Sequence, residues 1–229
     1  MATWYWWQCG FDTQGAFEQI SGYLNYALHM PLGKKLKLSI GVSGTIANQR
    51  RDLEKITLTR PDDDDFYQWL LANGGKSTFF DINPGAMLYG KKFYISYAAF
   101  KAYRKALNTN EVLNFNEDID HKLMAGLRIR LTQDVRLLPS VLYKFNASYD
   151  DIWDVNLKTL IKERTWAGIS YKSTQAVVFM GGVYINNLFN LSYSYDYVAS
   201  DLSNYSNGSH EITLALMLFK KDLKAPFLW

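Results

Sequence analysis

Between Leu188 and Val198 the chain alternates strictly. Phe189, Leu191, Tyr193, Tyr195 and Tyr197 are apolar or aromatic, and Asn190, Ser192, Ser194 and Asp196 between them are polar. A period of two puts these sets on opposite faces of a β-strand. After a polar loop, Ser200 to Gly208, the rhythm resumes with Ile212, Leu214, Leu216 and Leu218 against Glu211, Thr213 and Ala215. A long, tyrosine-rich hairpin of this kind suits a transmembrane β-barrel, which needs an apolar outside, a polar lumen and aromatic girdles.

The same rhythm recurs along the chain. It predicts about twelve strands, an even number as single-chain barrels have: Ala2–Gln8, Ser21–Met30, Leu36–Gln49, Thr78–Tyr89, Phe93–Ala98, His121–Leu131, Val135–Asn146, Ile152–Ile161, Trp166–Lys172, Ala176–Ile185, Leu188–Val198 and Ser209–Phe219. Leu36, Leu38, Ile40, Val42 and Ile46 oppose Lys37, Ser39, Ser43 and Thr45. Leu123, Ala125, Leu127 and Ile129 oppose Lys122, Arg128 and Arg130. Trp153, Val155, Leu157 and Ile161 oppose Asp154, Asn156 and Lys158. Charged residues on the inner face fit a wet lumen, whereas a dry sandwich core would leave them buried and unpaired at high cost. Tight turns (Pro31–Lys35, Gly90–Lys92, Thr132–Asp134, Lys162–Thr165, Asn186-Asn187) alternate with mostly longer links (Cys9–Ile20, Arg50–Ser77, Ala99–Asp120, Ala147–Asp151, Ser173–Gln175, Ala199–Gly208). Short periplasmic turns and longer extracellular loops alternate in this way in outer-membrane barrels, although Ser173–Gln175 is short where length is expected. Ala98–Leu107 has a helix-forming composition and suggests a short amphipathic helix at the rim. The expected fold class is therefore all-β, an antiparallel up-and-down transmembrane barrel forming one domain over residues 1–229. A soluble β-sandwich is the competing architecture.

Composition narrows the choice. No segment has the roughly eighteen consecutive apolar residues of a membrane helix, and mean hydropathy is −0.19. This excludes a helical membrane protein but not a barrel, half of whose strand residues are polar. The net charge of +3 is too weak and scattered to argue for nucleic acid. With Cys9 alone there is no intrachain disulfide and no cysteine metal cluster. The start, Met1 to Trp7, lacks the basic region, apolar core and cleavage site of a secretory signal. An exported barrel needs one, so the sequence predicts a removed signal or an N-terminally shortened chain. Trp4, Trp6 and Trp7 are either interfacial anchors or a start-site artefact.

Candidate chemistry is sparse. His29, His121 and His210 show no zinc-ligand spacing. His210 and Glu211 are neighbours on a strand, so they point to opposite faces, and both read as polar strand-rim residues with Gly208 supplying the turn. Asp62 to Asp65 lacks the ligand spacing and glycine of a calcium loop, so it reads as a solvated acidic run. No serine-nucleophile elbow or phosphate-binding glycine loop appears. No cofactor, metal or catalytic residue is expected. Phe66, Tyr67 and Trp69 follow the acidic run in a long loop and are candidate partner anchors, with packing on the rim or plugging of the lumen as the alternative.

The segment from Tyr195-Asp-Tyr197 through Gly208-Ser-His-Glu-Ile212 resembles the closing hairpin of the PorP/SprF family of type IX secretion outer-membrane proteins. Tyr26-Ala-Leu-His-Met-Pro-Leu-Gly-Lys-Lys-Leu-Lys-Leu38 is similar to that family's early turn. Leu137-Leu-Pro-Ser-Val-Leu-Tyr-Lys144, Trp166-Ala-Gly-Ile-Ser-Tyr-Lys-Ser173 and Ala176-Val-Val178 resemble further strands. The resemblance covers nearly everything from about Gly15 onward, and its motif residues here are Tyr195, Asp196, Tyr197, Gly208, His210 and Glu211. It implies a non-enzymatic component of the bacterial outer membrane that assists export or surface anchoring of secreted proteins, such as gliding adhesins. The implied partners are membrane lipid, secreted proteins with type IX C-terminal domains and periplasmic components of the machine. Met1 to Gly10 departs from the family pattern, which begins with a signal peptide and further strands. The barrel is therefore expected to be incomplete at the N-terminus, with an imperfect or open seam between Ala2–Gln8 and Ser209–Phe219. The functional alternatives are a porin-like diffusion channel and an outer-membrane enzyme.

Overall fold

The computed structural model describes residues 2–14, 16–52, 68, 74–107, 118–185, 189–199 and 208–216. They form fourteen strands in one antiparallel sheet. The first four are β1 (Ala2–Gln14), β2 (Phe17–Leu32), β3 (Leu36–Arg51) and β4 (Lys76–Tyr89). Next come β5 (Phe93–Phe100), β6 (Tyr103–Ala106), β7 (Asp120–Leu127), β8 (Ile129–Arg130) and β9 (Val135–Phe145). The last five are β10 (Ile152–Ile161), β11 (Thr165–Lys172), β12 (Ala176–Ile185), β13 (Phe189–Val198) and β14 (Ser209–Leu216). Twelve lie on a single path, β1-β2-β3-β4-β5-β7-β9-β10-β11-β12-β13-β14, while β6 pairs with β4 and β8 with β9. The twelve-strand expectation holds, because β6 and β8 continue the strands before them. β1 and β14 are the two terminal strands of the path. No described helix is long and apolar enough to cross a membrane.

The alternation read from the sequence is realised with the faces of a soluble protein inverted. On β3, Ile40, Val42 and Ile46 are 49%, 45% and 54% exposed, whereas Ser39 and Thr45 are 6% and 5% exposed. Ile95 and Tyr97 on β5, Val155 and Leu157 on β10, and Leu191, Tyr193 and Tyr197 on β13 are exposed in the same way. Buried residues include Ser21, Ser77, Asp81, Asn83, Asp154 and Ser170. A water-soluble sheet buries its apolar face. Burial of the polar face and display of the apolar one is the arrangement a bilayer solvates.

Three local expectations are corrected. Cys9–Ile20 is not a long link: β1 runs to Gln14, β2 starts at Phe17, and Gln14 pairs with Phe17. β1 is therefore thirteen residues long and is laddered to β2 from Ala2↔His29 onward. The rim helix suggested for Ala98–Leu107 is strand, with Ile82↔Tyr103 and Phe79↔Ala106 in register. A kink at Lys101 (φ 57°) separates β5 from β6, and the Lys101 amide donates to Asn83 Oδ1 at 2.8 Å. The predicted strand His121–Leu131 is interrupted between Leu127 and Ile129. The interruption needs no register shift, since Gly126↔Ser140 and Ile129↔Leu137 preserve the alignment. The interrupting residue, Arg128, aligns with Leu138, next to Pro139, which has no amide hydrogen to give to the ladder.

The chain divides into two compact units. In the first (Met1–Met30, Ser39–Ala86, Ala98–Asp120) the polar face is tightly paired. Arg104 donates to both Asp81 carboxylate oxygens at 2.7 and 2.8 Å and lies 4.8 Å over the Phe79 ring. Asn83 Nδ2 donates to Thr45 Oγ1 at 3.0 Å, and Gln49 Nε2 to Gln19 Oε1 at 3.0 Å. In the second (Pro31–Leu38, Met87–Tyr97, His121–Trp229) aromatic rings lie on glycines of the neighbouring strand. Trp166 lies against Gly182, its register partner, where an added Cβ would stand 2.7 Å from the indole. The Tyr94 ring covers Gly126 in the same way, at 2.4 Å from an added Cβ. Ring-on-glycine packing restores the contact that a glycine otherwise denies a sheet. Lys158 Nζ sits 3.7 Å above the Trp166 ring, Lys172 pairs with Asp196 at 2.6 Å, and Lys144 with Asp154 at 3.7 Å.

Candidate functional site

The closing hairpin carries the motif residues. β13 and β14 are in register from Phe189↔Leu216 to Asp196↔Ser209, which sets Tyr195 directly opposite His210 and Ser194 opposite Glu211. His210 and Glu211 fall on opposite faces, as the strand period requires. On the apolar face the Tyr193 hydroxyl meets His210 Nδ1 at 2.7 Å, and the Tyr195 ring packs on the imidazole with centroids 4.7 Å apart. On the polar face Asp196 takes the Lys172 ammonium, and Thr213 Oγ1 donates to Glu211 Oε1 at 3.0 Å. Gly208 enters β14 at φ 82°, where a Cβ would stand 2.3 Å from the Asp196 carbonyl oxygen. Only glycine fits there.

A second tyrosine–histidine pair is built the same way. The Tyr97 hydroxyl meets His121 Nδ1 at 2.7 Å, and His121 stacks on Phe145 at 4.7 Å. Sequence reasoning noted His121 but gave it no partner. The available signal was position: His121 and His210 each lie in the first two residues of a strand entered from a long loop. Both imidazoles are engaged by phenols on the apolar face, which is the setting of an interfacial aromatic girdle rather than of a general base.

The turn end of the second unit is a different site. The turns after β2 and β4 carry Lys34, Lys35, Lys91 and Lys92, all exposed. Beside them Lys37, Arg128, Arg130 and Arg136 project from strand ends around a cavity of about 940 Å³. The backbone fixes this end closely. Gly33 closes its turn at φ 76°. The Arg128 amide donates to the Lys92 carbonyl at 2.7 Å, and the Lys162 amide to the Asp134 carbonyl at 2.7 Å. Arg136 is met by the Glu163 carboxylate, Arg130 Nε donates to the Thr132 carbonyl at 3.1 Å, and Lys37 Nζ stands 5.9 Å over the Tyr89 ring. Lys34, Lys35, Lys91 and Lys92 have no carboxylate partner among the described residues. Chemically, such a cluster of cations favours an anion. In the sequence these lysines stand out only as turn residues.

Phe66, Tyr67 and Trp69, with the acidic run Asp62 to Asp65, lie outside the described residues.

A family model described as "Type IX secretion system membrane protein PorP/SprF" matches residues 11–216. No curated protein sequence matches the chain. Among solved structures, the crystallised β domain of the Bordetella autotransporter Brka is similar at 15% identity, covering 91% of this chain and 92% of that one, with a TM-score of 0.46.

Proposed function

Because the chain belongs to the PorP/SprF family of type IX secretion system membrane proteins, and is thus an outer-membrane β-barrel component of that system, we propose that it assists the export or surface anchoring of proteins carrying type IX C-terminal domains, gliding adhesins among them. The observation that carries this reading is the family match from residue 11 to 216 over an inverted, strand-only sheet. The role is non-catalytic: cargo and periplasmic components of the machine are its partners, and the strands are its membrane anchor. Loops on a rigid scaffold are where partner recognition resides, so Phe66, Tyr67 and Trp69 are the proposed anchors for a secreted partner, and the closing hairpin around Tyr195, Asp196, Tyr197, Gly208, His210 and Glu211 holds the frame that presents such loops.

The test is a pull-down from detergent extract with secreted C-terminal domains, read by mass spectrometry. Enrichment of this chain over an unrelated barrel is expected, and its absence would overturn the reading. Deleting Asp62 to Leu71 is expected to leave membrane insertion intact and to reduce surface labelling of the cargo in whole cells. Unchanged labelling at normal barrel levels would remove that loop from the site. Planar-bilayer recordings are expected to show little conductance, because bulky groups such as Trp166 and Tyr94 occupy the polar face.

A further inference from the structure

We propose that the basic turn end of the second unit is a binding site for an acidic polypeptide segment. This deepens the secretion reading by naming the chemistry of one partner, and it rests on that reading only for the side of the membrane from which the partner comes.

Strand period argues first. Lys37 shares its face with Ser39, and Arg136 with Ser140, because each lies an even number of residues away on its own strand. These are the polar-face positions. A bilayer headgroup reaches the apolar face, so these cations serve a ligand that enters along the polar side. Energetics argues second. Like charges gathered around one cavity repel one another, and Arg136 among them is met by the Glu163 carboxylate. That pair places one carboxylate of the chain at this end. The four turn lysines remain uncompensated, spread across two turns, which suits several carboxylates on an extended chain better than one compact anion. The walls argue third. Pro31 and Tyr89, at polar-face positions of their strands, line the same cavity, so the ligand carries hydrocarbon as well as charge. A cavity of about 940 Å³ is at the upper end of the range of roughly 300–1,000 Å³ typical of ligand pockets, large enough for several side chains.

The experiment uses the full chain in detergent micelles and a fluorescein-labelled peptide of alternating glutamate and leucine, followed by anisotropy. The wild type is expected to bind, with affinity falling as salt is raised. The variant Lys34→Gln/Lys35→Gln/Lys91→Gln/Lys92→Gln is expected to bind about tenfold more weakly or worse. A control removing charge elsewhere, Arg50→Gln/Lys105→Gln, is expected to bind as the wild type does. Circular dichroism and heat-modified gel mobility confirm that each variant is folded. Failure of the wild type to bind, or an equal loss in the control, would overturn the proposal. So would full displacement of the peptide by millimolar inorganic phosphate, or tighter capture by phosphatidylglycerol vesicles than by the peptide, since either would make the site one for phosphate or lipid. These outcomes are independent of the cargo pull-down, so the acidic-segment site and the secretion role can fail separately.

Discussion

Arg104 in the first unit is gripped by both oxygens of Asp81 and backed by Phe79, while Lys34, Lys35, Lys91 and Lys92 in the second unit stand at two turns with no carboxylate partner among the described residues. Both sets are cations associated with a polar sheet face. The first is part-buried and compensated, so its charge is spent inside the fold. The second is exposed and uncompensated, so its field is available to something else. The contrast separates charge that holds the sheet together from charge that the sheet carries for an outside ligand.

The comparison breaks most directly at Asp81. Asp81→Ala removes the carboxylate that grips the part-buried Arg104 guanidinium through two hydrogen bonds and is expected to cost about 3–5 kcal/mol, read as a lowered urea midpoint by tryptophan fluorescence in micelles. If the midpoint hardly moves, the first unit is not organised by this pair. Next in size is Leu214→Arg on the apolar face of β14, expected to cost roughly 2–4 kcal/mol in lipid near mid-membrane, with Thr213→Arg on the polar face nearly neutral. Equal costs would contradict the assignment of faces. Gly208→Ala is expected to lose roughly 1–2 kcal/mol from left-handed backbone strain, with the Asp196 carbonyl clash adding to it, and can be followed by amide exchange in β14. Smallest is the glutamine replacement of the four turn lysines. It is expected to shift stability by no more than about 0.5 kcal/mol. A large loss there would mean that these charges hold the fold after all, and the contrast would disappear.

Where one strand face meets lipid and the other water, the sequence shows it plainly. The β13–β14 hairpin was legible almost to the residue because Tyr193, Tyr197, Leu191 and Leu214 stay apolar for a physical reason that repeats every second position. The outer part of the first hairpin was not. Asp12-Thr-Gln-Gly15 and Glu18-Gln19 are polar on both faces, so the alternation that identifies a strand is missing where β1 and β2 run on toward their turn. Tyr103–Ala106 misled for another reason. Its lysine, arginine and alanine favour a helix locally, yet pairing with Phe79–Ile82 outweighs that weak preference. The basic turn end was hidden by distance. Lys34, Lys92 and Arg136 are far apart in the sequence, and each alone looks like an ordinary solvated residue. Among the motif residues, Gly208 was readable as a turn glycine, but the phenol on His210 belongs to the opposite strand and only the register reveals it.

The linear strand order has a consequence for how the molecule reaches this state. Nearly every strand finds its partner in the next segment of chain, so the contacts to be made during assembly are short in sequence. Closing such loops costs little chain entropy compared with joining distant segments, and low contact order favours rapid folding. The sheet can therefore grow one hairpin at a time, each new edge awaiting only the strand that follows it. A polypeptide arriving at the membrane end first would have at every stage one growing edge to shelter besides the outer edge of β1.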